Sequence, residues 1–119
     1  QVVMNLAINA RDAMPRGGSM SIEVSAAEFR SPHVGRDVDL EPGRYVVLAV
    51  SDTGEGMDSE TQSRIFEPFY TTKPTGQGTG LGLSISYGII KECKGSIRAF
   101  SRDNEGARFK IKFPIARED

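Results

Sequence analysis

Cysteine and histidine are almost missing from this chain of 119 residues, with Cys93 and His33 each standing alone. A single thiol excludes an internal disulfide and points to a reducing compartment. The simplest place for it is a buried or half-buried position near a helix end. No charge of one sign dominates either. There are 15 Lys and Arg against 16 Asp and Glu, a net charge of −1 at pH 7, with the signs mixed along the chain. That argues against nucleic acid or an anionic membrane surface as the main partner. No apolar run approaches the ~20 residues of a membrane span, and no stretch reads as a signal peptide. Repeats and low-complexity tracts are absent too. The length bounds the chain to one domain, 1–119, with a small core of its own.

What is present reads as alternating helices and strands. Residues 1–14 are predicted helical, with Val2, Val3, Leu6, Ala7, Ala10, Ala13 and Met14 on one broad apolar face. Gln1, Asn5, Asn9 and Asp12 form a polar stripe beside it. Pro15 and Gly17-Gly18 stop the helix. Ser19 to Glu28 alternates as a half-buried strand, with Met20, Ile22 and Val24 facing one way. Phe29 to Gly43 is a polar connection. Tyr45 to Val50 is apolar throughout and reads as a central strand. Asp58 or Ser59 can cap a short helix reaching Ile65. Residues 70–80 read as a mobile loop. Leu81 to Lys94 reads as a helix apolar on most sides, with Gly95 placed for a left-handed cap. Ser96–Ser101 and Ala107–Ile115 are alternating strands joined by a turn at 103–106. The expected fold is α+β, a two-layer α/β sandwich whose helices cover one face of a mixed, mostly antiparallel sheet.

Three stretches carry candidate chemistry. Asn5 and Asn9 lie one helical turn apart and can aim two amide oxygens at one point. Such hard, neutral ligands suit Mg²⁺, which takes its other oxygens from phosphate and water. A solvated or core-bonded polar face would show the same spacing. Asp52 follows an apolar strand and precedes Gly54 and Gly56. An ionised carboxylate there accepts only, so it would take the exocyclic amine of adenine and reject the carbonyl that guanine offers instead. A plain Asp-Gly turn is the alternative. Gly78, Gly80 and Gly82 lead into a helix, where free N–H groups favour phosphate. The spacing is neither a Walker loop nor a dinucleotide fingerprint, and loop flexibility alone would also account for the glycines. Lys73, after Thr71-Thr72, can reach a terminal phosphate or stand as a solvated surface charge.

In this order the stretches resemble the catalytic, ATP-binding domain of sensor histidine kinases, the Bergerat fold shared with DNA gyrase, Hsp90 and MutL. Asn5-Leu6-Ala7-Ile8-Asn9-Ala10-Arg11-Asp12-Ala13 resembles the family's asparagine box. Asp52-Thr53-Gly54-Glu55-Gly56-Met57 resembles its first glycine box. Ile65 to Lys73 resembles its phenylalanine box, and Gly78-Thr79-Gly80-Leu81-Gly82-Leu83-Ser84 its second glycine box. The run from Asn9 to Gly18 and the Thr-Thr-Lys-Pro segment are most like hybrid sensor kinases. The resemblance implies that Asn9 holds Mg²⁺, with Asn5 and Asp12 near the phosphates. It implies that Asp52 accepts from adenine, with Gly54, Gly56 and Met57 lining that pocket. Gly78, Thr79, Gly80, Leu81, Gly82 and Leu83 would wrap the triphosphate. Residues 70–80 would be a lid, anchored by Phe66 and Phe69 and carrying Lys73.

Departures from the family pattern are informative. Family members carry an initial strand and helix before the asparagine box, so the domain is expected to be truncated at its N-terminus. Ala107 stands where a threonine is usual. Related ATPases activate water with a Glu four residues before the metal-binding Asn; that position here is Asn5, which is no general base. Phosphoryl transfer needs mainly positioning and charge neutralisation. The resemblance therefore implies a kinase domain that binds Mg²⁺-ATP and phosphorylates a histidine on a separate dimerisation domain, served by a response-regulator receiver domain. Its place would be the cytoplasm, within a parent able to carry a membrane anchor. His33, in a loop without a preceding acid, is a poor acceptor, so the fragment is expected not to phosphorylate itself. A gyrase-like ATPase, a nucleotide-binding regulatory module and an anti-sigma serine kinase are the competing classes.

Overall fold

The computed structural model describes residues 2–29, 41–67, 82–102 and 104–115. In chain order these form α1 (Val2–Asp12), β1 (Met20–Phe29), β2 (Gly43–Asp52), α2 (Ser59–Arg64), α3 (Gly82–Glu92), β3 (Ser96–Ser101) and β4 (Ala107–Pro114). The strands make one sheet in the order β1-β2-β4-β3, and every described pairing is antiparallel.

Register explains the core. Leu48 of β2 stands opposite Ile111 of β4, which stands opposite Ile97 of β3; the next row is Val50, Phe109, Ala99. Directly paired residues share a face, so these rows form one apolar surface. Leu6 of α1 and Ile90 of α3 seat on it, and Leu6, Ile90, Phe109 and Ile111 are all essentially solvent-free. α1 lies against β2 and α3, while α2 and α3 lie against β3. Tyr45, Val47 and Ala49, on the opposite face of β2, are also buried. β2 is therefore covered on both sides, as its unbroken apolar run implies.

The edge of the sheet departs from the sequence reading. β1 has the predicted alternation, but Met20, Ile22 and Val24 are exposed, Val24 by 69%. The helix layer sits over β2, β4 and β3, and β1 is the outer strand. α3 departs as well. Ile85 and Tyr87 are exposed, while Ser86 is fully buried beside Ile90. α1 ends at Asp12, two residues short of the predicted stop, and only the Ala13 amide continues its ladder, to the Asn9 carbonyl.

The end of α3 uses different chemistry from that expected. Lys94, not Gly95, takes the left-handed conformation, at φ 62°. Gly95 N donates to the Ile90 carbonyl and Lys94 N to the Lys91 carbonyl, the paired bonds of a Schellman cap. Gly95 is needed for another reason: a Cβ there would strike the Lys112 carbonyl. Cys93 is exposed rather than half-buried, because it lies beyond Ile90, the last buried residue of the helix. Asp58 does cap α2, accepting from Thr61 N at 2.7 Å. Residues 30–40 of the connection expected from Phe29 to Gly43, His33 among them, and the lid expected at 70–80 lie outside the described residues.

Candidate functional site

The site is assembled around α1. Its C-terminal end carries the Asp52 turn, and its polar stripe faces the start of α3. At the first place, Glu55 N donates to the Ala13 carbonyl at 3.0 Å. Gly54 packs so closely there that a Cβ would collide with the same carbonyl. Gly56, at φ 71°, lies equally close to the Arg102 carbonyl. The close approach these glycines permit is thus made by the chain's own backbone, and its effect is to seat Asp52.

Asp52 ends β2, half-buried on the helix-covered face. Its Oδ1 accepts from Gly54 N at 2.9 Å and from Ala107 N at 3.3 Å. Its Oδ2 has no partner among the described residues. One oxygen therefore anchors the side chain and the other remains a free acceptor. Ser101, unnoticed in the sequence, braces the same region. Its hydroxyl accepts from Met57 N and donates to the Gly106 carbonyl, each at 2.7 Å. That ties the turn after β2 to the turn between β3 and β4. Met57 and Leu83 both pack against the edge of the core cluster.

At the second place, Asn5 donates through Nδ2 to the Gly82 carbonyl and to Ser86 Oγ, each at 3.1 Å. Ser86 Oγ in turn donates to the Gly82 carbonyl at 3.0 Å. Asn9, one turn further along α1, is half-buried, and its amide has no partner among the described residues. Asp12 pairs with Arg11 at 3.4 Å. From Asn5 to Ala13 the helix rises by about 12 Å. The amide stripe and the Asp52 turn are therefore held at a fixed separation by one rigid element.

Of the residues singled out in the sequence, Asn5, Asn9, Asp12, Asp52, Gly54, Gly56, Met57, Gly82 and Leu83 are described, and all border α1, the end of β2 or the start of α3. Phe69, Lys73, Gly78, Thr79, Gly80 and Leu81 lie outside the described residues. Among the described residues no three of His, Cys, Asp and Glu cluster as a metal site, and no helix is long and apolar enough to cross a membrane. A separate groove of about 500 Å³ opens between α2 and β3, lined by Met57, Gln62, Phe66, Ala99 and Arg102 among others.

Comparison with known proteins identifies the family. The chain belongs to the family of histidine kinase-, DNA gyrase B- and HSP90-like ATPases, whose model matches residues 1–117. It is 48% identical over 117 residues to the sensor kinase CckA of Brucella abortus, covering 96% of this chain and 12% of that protein. It is 40% identical over 119 residues to the two-component sensor PprA of Pseudomonas aeruginosa, covering 98% of this chain and 12% of that one. The chain thus spans about an eighth of these relatives. Among solved structures, the nucleotide-free catalytic domain of the histidine kinase ThkA superposes with a TM-score of 0.65 at 33% identity, over 96% of this chain and 64% of that one. Full-length ShkA in complex with AMPPNP superposes with a TM-score of 0.72 at 26% identity, over 98% and 21%. The domain is of the ATP-binding catalytic kind found in two-component sensor histidine kinases.

Proposed function

We propose that this domain binds Mg²⁺-ATP and offers the γ-phosphate to a histidine on a separate dimerisation domain, from which it passes to a receiver domain. The observation that carries the reading is the half-anchored Asp52. Its Oδ1 is fixed by two backbone N–H groups, while Oδ2 meets no partner among the described residues and is a pure acceptor. An adenine amine satisfies that oxygen; a guanine carbonyl is repelled by it. Met57 would pack on the base, as the resemblance implies, and Leu83 would belong to the turn around the triphosphate. Relatives named as sensor kinases, and the AMPPNP complex of ShkA, support the same nucleotide.

The donor set suits the metal. Asn5 and Asn9 bring neutral amide oxygens, the hard ligands that Mg²⁺ accepts beside phosphate and water. When bound, Mg²⁺ neutralises charge on the phosphates. The chain's own part is positional. Asp52 fixes the base, α1 sets the distance to the phosphates, and Asn9 orients the far end. The γ-phosphorus then exchanges its bond to the ADP oxygen for a bond to an imidazole nitrogen, a transfer governed by alignment and electrostatics. Hydrolysis is disfavoured, because Asn5 stands where related ATPases carry a Glu and an amide takes no proton from water. Lys73 and the glycines of 78–82 complete the proposal at the phosphates, with residues 70–80 as the lid. Such chemistry places the domain in the cytoplasm, where ATP is available.

The test is calorimetric titration of the chain with ATP and with GTP, each with Mg²⁺ and with EDTA. Preference for ATP, strengthened by Mg²⁺, is expected. Equal affinity for the two nucleotides overturns the role of Asp52. Labelled ATP should leave the chain alone unlabelled but should label a histidine-bearing dimerisation domain added in trans.

A further inference from the structure

The fully buried hydroxyl of Ser86 has a role that the motifs do not assign. Its residue is 0% exposed, inside a helix otherwise expected to fill that place with an apolar side chain. The hydroxyl's bonds are directional. It donates to the Gly82 carbonyl at 3.0 Å, four residues back, and so turns its lone pairs toward α1. Asn5 Nδ2 donates into those lone pairs and into the Gly82 carbonyl, at 3.1 Å each. A side-chain amide has two N–H donors. The Gly82 carbonyl and the Ser86 hydroxyl lie only 3.0 Å apart and at equal distance from Nδ2, so they hold the amide nitrogen together, and both can only accept from it, since the carbonyl has no proton and the hydroxyl has already spent its own. The amide cannot turn over without setting its oxygen against the Gly82 carbonyl.

We propose that Ser86 is a positioning residue: with the Gly82 carbonyl it holds the amide nitrogen of Asn5 against α3, so that Asn5 Oδ1 is presented to the nucleotide cleft. This rests on the reading of the cleft as an ATP site and deepens it. An oxygen-presenting Asn5 repels phosphate oxygens. It suits a cation or a water held by one, which is the metal-side place proposed for Asn5 above. The same bonds tie the helix that carries Asn9 to the first turn of α3. Metal ligation and the placement of that turn are thereby coupled through one hydroxyl.

The test uses a nearly isosteric pair. Ser86→Thr keeps the hydroxyl and Ser86→Val removes it, while Ser86→Ala removes it without added volume. ATP affinity is measured for each with Mg²⁺ and with EDTA, alongside the NMR signals of the Asn5 side-chain amide in the free protein. In wild type that amide should exchange slowly with solvent. Val and Ala should speed its exchange and lower Mg²⁺-supported affinity by roughly five- to ten-fold, leaving affinity in EDTA unchanged. Thr should restore both. Fast exchange in wild type, or an intact Mg²⁺ increment in the Val and Ala variants, overturns the role of Ser86 alone. Wild type that binds no ATP in any condition overturns the site reading and this role with it.

Discussion

Replacing Asp52 by Asn separates its two jobs. In the wild type Oδ1 accepts from Gly54 N at 2.9 Å and Ala107 N at 3.3 Å, and Oδ2 has no partner among the described residues. The Asn amide must keep its oxygen on those two N–H groups, since the reverse orientation would set donors against donors. The new Nδ2 then stands where Oδ2 stood. The fold keeps both anchoring bonds, while the free acceptor becomes a donor. A hydrogen bond to a charged acceptor is worth about 1.5–3 kcal/mol, so ATP affinity should fall roughly 10- to 150-fold. The guanine carbonyl, repelled before, now meets a donor, so the preference for ATP over GTP should collapse or invert. Asp52→Ala is the contrast. It leaves two N–H groups without a partner at about 1–3 kcal/mol each, and at about 4 °C per kcal/mol the melting temperature should drop visibly. Calorimetry with both nucleotides and thermal melts on the two variants decide the matter. An Asn variant that keeps wild-type ATP affinity and nucleotide preference refutes the reasoning. So does one that melts as low as the Ala variant.

Other consequences follow from single residues. Lys94→Gly should raise stability by about 1 kcal/mol in chemical denaturation, because Lys94 at φ 62° bears a penalty that glycine lacks. Ile111→Ala, at the centre of the sheet with 0% exposure, should destabilise by about 2–5 kcal/mol through lost burial and the cavity left behind. Asp58 has its carboxyl held below the ordinary value of 3.8 by the hydrogen bond from Thr61 N. A depressed folded pKa means that the charged cap stabilises fully above 3.8 and that the contribution fades as pH falls through the folded value. Asp58→Ala should therefore lower the melting temperature slightly at pH 7 and by less as the solution is acidified, which melts across an acid series will show.

The elements that sequence periodicity located well are those where one face decides the structure. β2, β3, β4, the α2 cap and both long helices fall where alternation, an N-capping aspartate and apolar spacing put them. The misses share a cause, because each depends on what lies across from a residue rather than beside it. Met20, Ile22 and Val24 alternate as a half-buried strand should, but their exposure is set by the strand order. Gly95 looked like the left-handed residue, yet its smallness answers to Lys112 on another element. Gly54 and Gly56 were legible as close-approach positions, but not that the approaching groups were the carbonyls of Ala13 and Arg102. Asn5, Asn9 and Asp52 were visible as candidates because polar residues at those points of a helix and a strand end are out of place locally. Ser86 and Ser101 were not, since a serine in a helix or at a strand end attracts no notice until its partners are known.

The central claim is that Asp52, the Asn5–Asn9 stripe and the start of α3 face one molecule of ATP. Nitrogen-15 NMR of the chain titrated with a non-hydrolysable ATP analogue and Mg²⁺ tests it most directly. The account predicts saturable shifts concentrated at Asn5, Asn9, Gly54 and Gly82. Shifts confined to the groove between α2 and β3, or none at saturating analogue, would contradict it.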